Sequence, residues 1–157
     1  MVYGAIDEKD EKGYTKIGKV FEAINNKQVR YNWLITDIYY VPRKIEEYCS
    51  DKGYCWLTGE KLSQIVREDD QQWAWAVLSG FEKGIALSEV LKYPQPYADG
   101  YRGFWINPVS IQHPLATIEI VAWDSTLTLF FSKQEGLTQE FLNFFPFSED
   151  ILTYNST

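Results

Sequence analysis

One histidine, two cysteines and twenty-six aromatic rings bound the chemistry open to this 157-residue chain. A Ser-His-Asp or Cys-His arrangement would have to be built on His113, the one imidazole. That residue lies in Gln112-His113-Pro114, with no G-x-S-x-G surround, and reads as a loop histidine bonded to backbone. Cys49 and Cys55 form a Cys-x5-Cys pair, which lacks the close spacing of structural zinc sites. Nothing points to an oxidising compartment, so both are expected as thiols. No metal site, cofactor or catalytic residue is assigned. Gly80 and Gly84 are isolated and make no phosphate-cradling loop. Glu119, between Ile118 and Ile120, is the one acid set in an apolar strand, and alternation is expected to turn it to solvent.

Charge is unevenly distributed. Residues 1–67 hold 11 Lys/Arg against 10 Asp/Glu, a net of +1, whereas residues 68–157 hold 4 against 12, a net of −8. An anionic second half repels phosphates, which excludes an ordinary nucleic-acid groove despite the aromatic content. The same field would steer a basic protein. Glu68-Asp69-Asp70 follows a helix at the end where the backbone dipole disfavours negative charge. It reads either as a solvated helix exit or as an acidic contact patch.

The elements that must position these groups are legible in part. Ile17, Val20, Phe21 and Ile24 recur at helical spacing, predicting a helix over 15–25 capped by Thr15. Residues 31–41 alternate as a strand closed by Pro42, and 43–50 make a short helical stretch broken at Gly53. A helix is expected from an N-cap at Thr58 through Leu62, Ile65 and Val66. Residues 72–81 read as a strand with Trp73, Trp75 and Val77 on one face, followed by a helical turn within 85–91. Residues 92–114 carry four prolines and read as loop, with at most a short strand near Gly103–Ile106. A loop this long is uncommon unless functional. Strands over 116–123 and 126–132 meet at Asp124-Ser125, and a helix over 137–145 ends at Pro146.

These elements give an α+β class: a single domain over 1–157, with a mainly antiparallel twisted sheet of five or six strands and helices packed on one face. Residues 1–14 and 147–157 are expected at the periphery. The opening Asp7-Glu8-Lys9-Asp10-Glu11-Lys12 does not resemble a signal peptide, and no apolar run approaches a membrane span, so a cytoplasmic location is expected.

Residues 45–66, IEEYCSDKGYCWLTGEKLSQIV, resemble the opening of the SUKH superfamily. Ile45 and Tyr48 fill its first helix pattern, Gly53 ends that helix, Leu57 takes the Leu position, and Leu62, Ile65 and Val66 form the second helix. Thr58 stands where the family usually has Pro. Ala122-Trp123-Asp124-Ser125 and Glu140-Phe141-Leu142 resemble its late turn and closing helix. The resemblance implies an α+β fold whose bacterial members often neutralise toxins, nucleases among them, by direct binding. It brings no catalytic motif.

Two functions follow as expectations. The first is a non-catalytic protein-binding module, an immunity protein against a basic, nuclease-type toxin. Glu68, Asp69, Asp70 and Asp99 would steer the partner, and Tyr97, Tyr101 and Trp105 would anchor it. The alternative is a small-ligand protein or enzyme whose aromatic loop roofs a pocket holding Glu119, Arg102 or His113.

Overall fold

A computed structural model describes residues 1–8 and 15–157. The charged run Lys9-Asp10-Glu11-Lys12, read above as unlike a signal peptide, lies outside them. Trp33 and Leu34 are adjacent in sequence yet sit in different apolar cores, because the sheet that carries them is covered on both faces.

That sheet has seven strands among the described residues, all paired antiparallel. They are β1 (Tyr3–Asp7), β2 (Tyr31–Tyr39), β3 (Cys55–Thr58), β4 (Trp75–Glu82), β5 (Ile118–Trp123), β6 (Leu127–Ser132) and β7 (Glu149–Asp150), in the order β3-β2-β4-β5-β6-β1-β7. The α+β class holds, with seven strands in place of five or six and helices on both faces in place of one. The extra pairing comes from chain ends expected at the periphery: β1 lies between β6 and β7. Glycine is required at Gly4 there, since a Cβ would meet Ile151 Cγ2 and Phe131 Cδ1, the latter at 2.8 Å.

One face carries helices α1 (Ile17–Ala23), α3 (Gly59–Glu68) and α5 (Glu135–Phe144). Their apolar stripes, Ile17, Val20 and Phe21, then Leu62, Ile65 and Val66, then Leu137 and Phe141, close over Trp33, Ile35, Leu78, Ile118, Ile120 and Phe130. The N-cap at Thr58 is as expected, its Oγ1 accepting the Lys61 N–H at 3.1 Å. Thr15 is not a cap. Its hydroxyl donates to the Leu127 carbonyl and bonds Thr128 Oγ1, so a tertiary partner takes the side chain and Lys16 holds the N-cap position.

The second face is covered by the segment between β4 and β5, with α4 (Leu87–Val90) near its start, and by the C-terminal helix α6 (Ile151–Asn155). Ala98, Phe104, Val109, Ile111 and Ile151 pack there on Val77, Phe81, Val121 and Phe131. Gly103–Trp105 is a 3-10 turn, not a strand.

Two further expectations are corrected. Trp73 precedes the bend at Ala74 and joins the helical-face core with Ala76 and Leu78, whereas Trp75 and Val77 face the loop. Cys49 and Cys55 are joined as a disulfide. The helical stretch α2 (Arg43–Glu46) ends before Cys49, and the chain then reverses through Gly53 at φ +84°. That reversal brings Cys49 opposite Cys55 in an antiparallel bridge, with Cα atoms 4.1 Å apart. No helix among the described residues is long and apolar enough to cross a membrane.

Candidate functional site

The loop between β4 and β5 is fixed by polar side chains from β2 and from the loop itself. At the end of β2 the Thr36 hydroxyl donates to the Pro96 carbonyl at 2.7 Å. Asp37 Oδ2 accepts the Ala98 and Asp99 N–H groups at 2.7 and 3.2 Å. The Gln112 side chain clasps Tyr97 from both sides, accepting its N–H at 3.1 Å and donating to its carbonyl at 2.8 Å. His113 is the backbone-bonded loop histidine expected: with Nδ1 accepting the Leu115 N–H, Nε2 donates to the Val90 carbonyl at 2.8 Å. Burial holds that imidazole below its usual pKa, so it sits neutral. It belongs to the loop's support.

Glu119 overturns its expectation. Alternation does place it opposite Ile118 and Ile120, but the face it points to lies under the loop, and the side chain is fully buried. Oε2 accepts the Gln112 N–H at 3.0 Å, while Oε1 has no partner. Ser79 is its register neighbour on β4, and Ser79 Oγ is likewise buried without a partner. Burial pushes the Glu119 carboxyl up to about 8, so it is protonated at neutral pH. Tyr101 above is also raised, first by burial and then by Glu119.

The proposed contact residues divide between the two faces. Glu68, Asp69 and Asp70 close α3 on the helical side. Glu68 pairs with Lys44 Nζ at 2.9 Å and accepts from Gln64, which holds its carboxyl below the ordinary range. Asp69 takes the Lys44 backbone N–H at 3.5 Å. Asp70 lines a cleft with Gly18, Lys19, Glu22, Val66 and Arg67. Tyr97, Asp99, Tyr101 and Trp105 lie together on the loop side, Tyr97 and Asp99 exposed and Tyr101 and Trp105 half-buried.

Those aromatics continue into a chain of ring contacts. Tyr97 meets Tyr101 at 5.4 Å between centroids, Tyr101 meets Phe104 at 4.6 Å, and Phe104 stacks on Phe131 at 5.8 Å. Trp105 contacts Phe104, Trp123 and Tyr154, and Trp123 contacts Trp75. Where this chain reaches the surface, Trp105, Trp123, Leu127, Tyr154, Asn155 and Thr157 line an open groove of about 470 Å³.

Among the described residues, the charged groups that act on the groove's Tyr154 are acidic. Glu8 Oε2 accepts from the Tyr154 hydroxyl at 3.4 Å, and the Tyr154 phenol is raised by burial, then by Glu8 and Glu149. Asp124 follows Trp123 in the turn to β6. Among the described residues, Glu8, Asp124 and Glu149 join no ion pair, as is also true of Asp69, Asp70 and Asp99, whereas Glu22, Glu60, Glu68, Glu89 and Glu140 each hold a lysine. The sequence reading missed Trp123, Tyr154, Glu8, Asp124 and Glu149. Trp123 carried a signal, since it shares the face of β5 opposite Ile118 and Ile120 and precedes an acid. Comparison with known proteins finds no matching family model, curated protein or solved structure.

Proposed function

We propose that this chain is a non-catalytic module that binds a basic protein through its loop face. The observation that carries the reading is the coincidence of an open aromatic groove with Glu8 and Glu149, which act on its Tyr154, and Asp124, which adjoins its Trp123, all outside any ion pair among the described residues. Half-buried tryptophan and tyrosine supply contact area at low entropic cost, and uncompensated acids supply long-range attraction. The loop's clasps by Thr36, Asp37 and Gln112 mean that little ordering remains to oppose binding. Within this reading, the SUKH resemblance makes an immunity role against a basic, nuclease-type toxin the specific proposal. Inhibition would then come from covering the toxin's substrate path.

The ligand-pocket alternative draws on one observation, the buried Glu119 beneath the loop. Glu119 is not among the residues lining the groove, and its one protein bond ties it to the loop backbone.

Affinity capture from the native host tests the reading when run beside two charge reversals. A basic protein should be retained by the wild type and by Glu68→Lys/Asp69→Lys/Asp70→Lys, and lost from Glu8→Lys/Asp124→Lys/Glu149→Lys. Loss from the first variant alone would move the surface to the helical face. Recovery of a small molecule and no protein would favour the pocket.

A further inference from the structure

Three clefts on the described surface differ in what they could hold. The cleft beside α1 and α3 mixes Lys19 and Arg67 with Glu22 and Asp70, equal in number, and Lys19 pairs with Glu22 at 3.5 Å. The cleft at Ile38, Glu46, Cys49 and Gly53 has no aromatic wall, and nearby Tyr48 is already covered by the Lys61 ammonium, 5.1 Å from its centroid. The groove at Trp105 and Trp123 has aromatic walls and no charged side chain among its lining residues, and Glu8 and Glu149 act on its Tyr154 from outside. Arg102, three residues before Trp105, is exposed and does not line it.

The side-chain oxygens of this groove are left as acceptors, beside the indole N–H donors of Trp105 and Trp123. Both hydrogens of the Asn155 amide are spent, on the Phe104 carbonyl at 2.9 Å and on Asn107 Oδ1 at 3.1 Å. Its carbonyl oxygen is therefore left as an acceptor. Thr157 Oγ1 donates to the Tyr154 carbonyl at 2.8 Å, and the Tyr154 hydroxyl donates to Glu8 Oε2, so each offers lone pairs outward. Outward-facing oxygen acceptors between aromatic walls, with Glu8 and Glu149 acting on Tyr154 from outside, match a flat cation rich in N–H donors. Guanidinium has that chemistry: planar, always charged, five donors and no acceptor, and it stacks on indole faces.

Resting on the protein-binding reading, we infer that the Trp105–Trp123–Tyr154 groove is a subsite for an arginine side chain presented by the partner protein. The perpendicular indoles, 5.9 Å apart between centroids, offer a stacking wall and an edge. Asn155 Oδ1 is the directional acceptor for the guanidinium N–H, and Glu8, Asp124 and Glu149 supply the field. Lysine, with its compact and strongly hydrated charge, should bind more weakly.

A hexa-arginine peptide and a hexa-citrulline peptide of equal length separate guanidinium recognition from shape and backbone contact. The arginine peptide should shift the indole N–H resonances of Trp105 and Trp123 in a two-dimensional spectrum, and the citrulline peptide should not. Tyr154→Leu and Asn155→Leu should each weaken binding of the arginine peptide by roughly tenfold, with the remaining resonances showing an intact fold. Equal shifts with both peptides, or arginine-peptide shifts confined to residues around Glu68, would overturn the subsite. The captured basic partner separates the subsite from protein binding as such. If that partner binds Asn155→Leu and Tyr154→Leu as tightly as the wild type, the reading stands and the arginine subsite is wrong.

Discussion

Trp105 and Trp123, eighteen positions apart in sequence, meet at 88° with ring centroids 5.9 Å apart. The first comes from the 3-10 turn of the loop and the second from the end of β5, so the contact exists only while the loop lies on the sheet. The groove is thus a property of the loop's attachment, and the groups beneath the loop are as important to it as the groups that line it.

Replacing Thr36 with Val removes the donor to the Pro96 carbonyl while keeping the side chain's shape. The buried carbonyl is left unpaired, which should cost about 1–3 kcal/mol. Amide exchange at Tyr97, Ala98 and Asp99 should quicken, and the amides of β5 should remain protected. Unchanged exchange at those loop amides would show that Asp37 and Gln112 suffice to hold them.

Glu119 makes stability depend on pH in a stated direction. Its folded pKa, about 8, lies above its ordinary value of 4.5, so the folded state binds more protons than the unfolded state between these values. Stability should therefore fall as pH rises from about 4.5 to about 8 and level off above, at up to roughly 1.4 kcal/mol per pH unit. His113 acts in the opposite sense: held neutral by burial, it loses stability as pH falls below its ordinary range. The difference between wild type and Glu119→Gln isolates the carboxyl. The variant should gain on the wild type as pH rises towards 8, read from urea midpoints at several pH values. Parallel curves would place Glu119 in contact with water.

Phe141 stacks on Phe130 at 5.1 Å and meets Phe145 at 4.6 Å, joining α5 to the sheet. Phe141→Ala should destabilise by about 3–5 kcal/mol, because the cavity it leaves is bounded by sheet and helix that cannot collapse together. Phe145, half-buried at the helix end, should cost less when truncated. Thermal melts of the two variants check the order.

Much of the helical face could be read in the sequence, because there a single period decides each residue. Leu62, Ile65 and Val66 are buried, Thr58 caps their helix, and Ile118 and Ile120 point inward as their alternation required. The opposite face could not. Alternation assigned Glu119 to the side away from Ile118, but a period of two says only which side a residue takes, not what covers that side. The cover is a proline-rich segment with no period of its own, held by Thr36 and Asp37 from β2 and by its own Gln112. Thr15 failed as a cap for a related reason, since a hydroxyl partner at Leu127 outcompeted the local one. β1 and β3 were too short to show a repeat, and Cys55 was separated from Cys49 by a turn whose geometry depends on Gly53. The acidic trio was conspicuous because its members are adjacent. Glu8 and Glu149 are far apart in sequence and both act on Tyr154 through the fold.

Salt and footprint together test where a basic partner binds. Attraction to Glu8, Asp124 and Glu149 should slow association as ionic strength rises, since screening shortens to about 3 Å at 1 M salt. Dissociation should respond instead to Trp105→Ala, because a half-buried anchor acts after encounter.

The most direct measurement is hydrogen–deuterium exchange of the complex with the captured basic protein. The account predicts protection over residues 97–107, 123–127 and 149–157, with no change over 17–22 and 66–70. Protection over 66–70 with the loop face unchanged would contradict it.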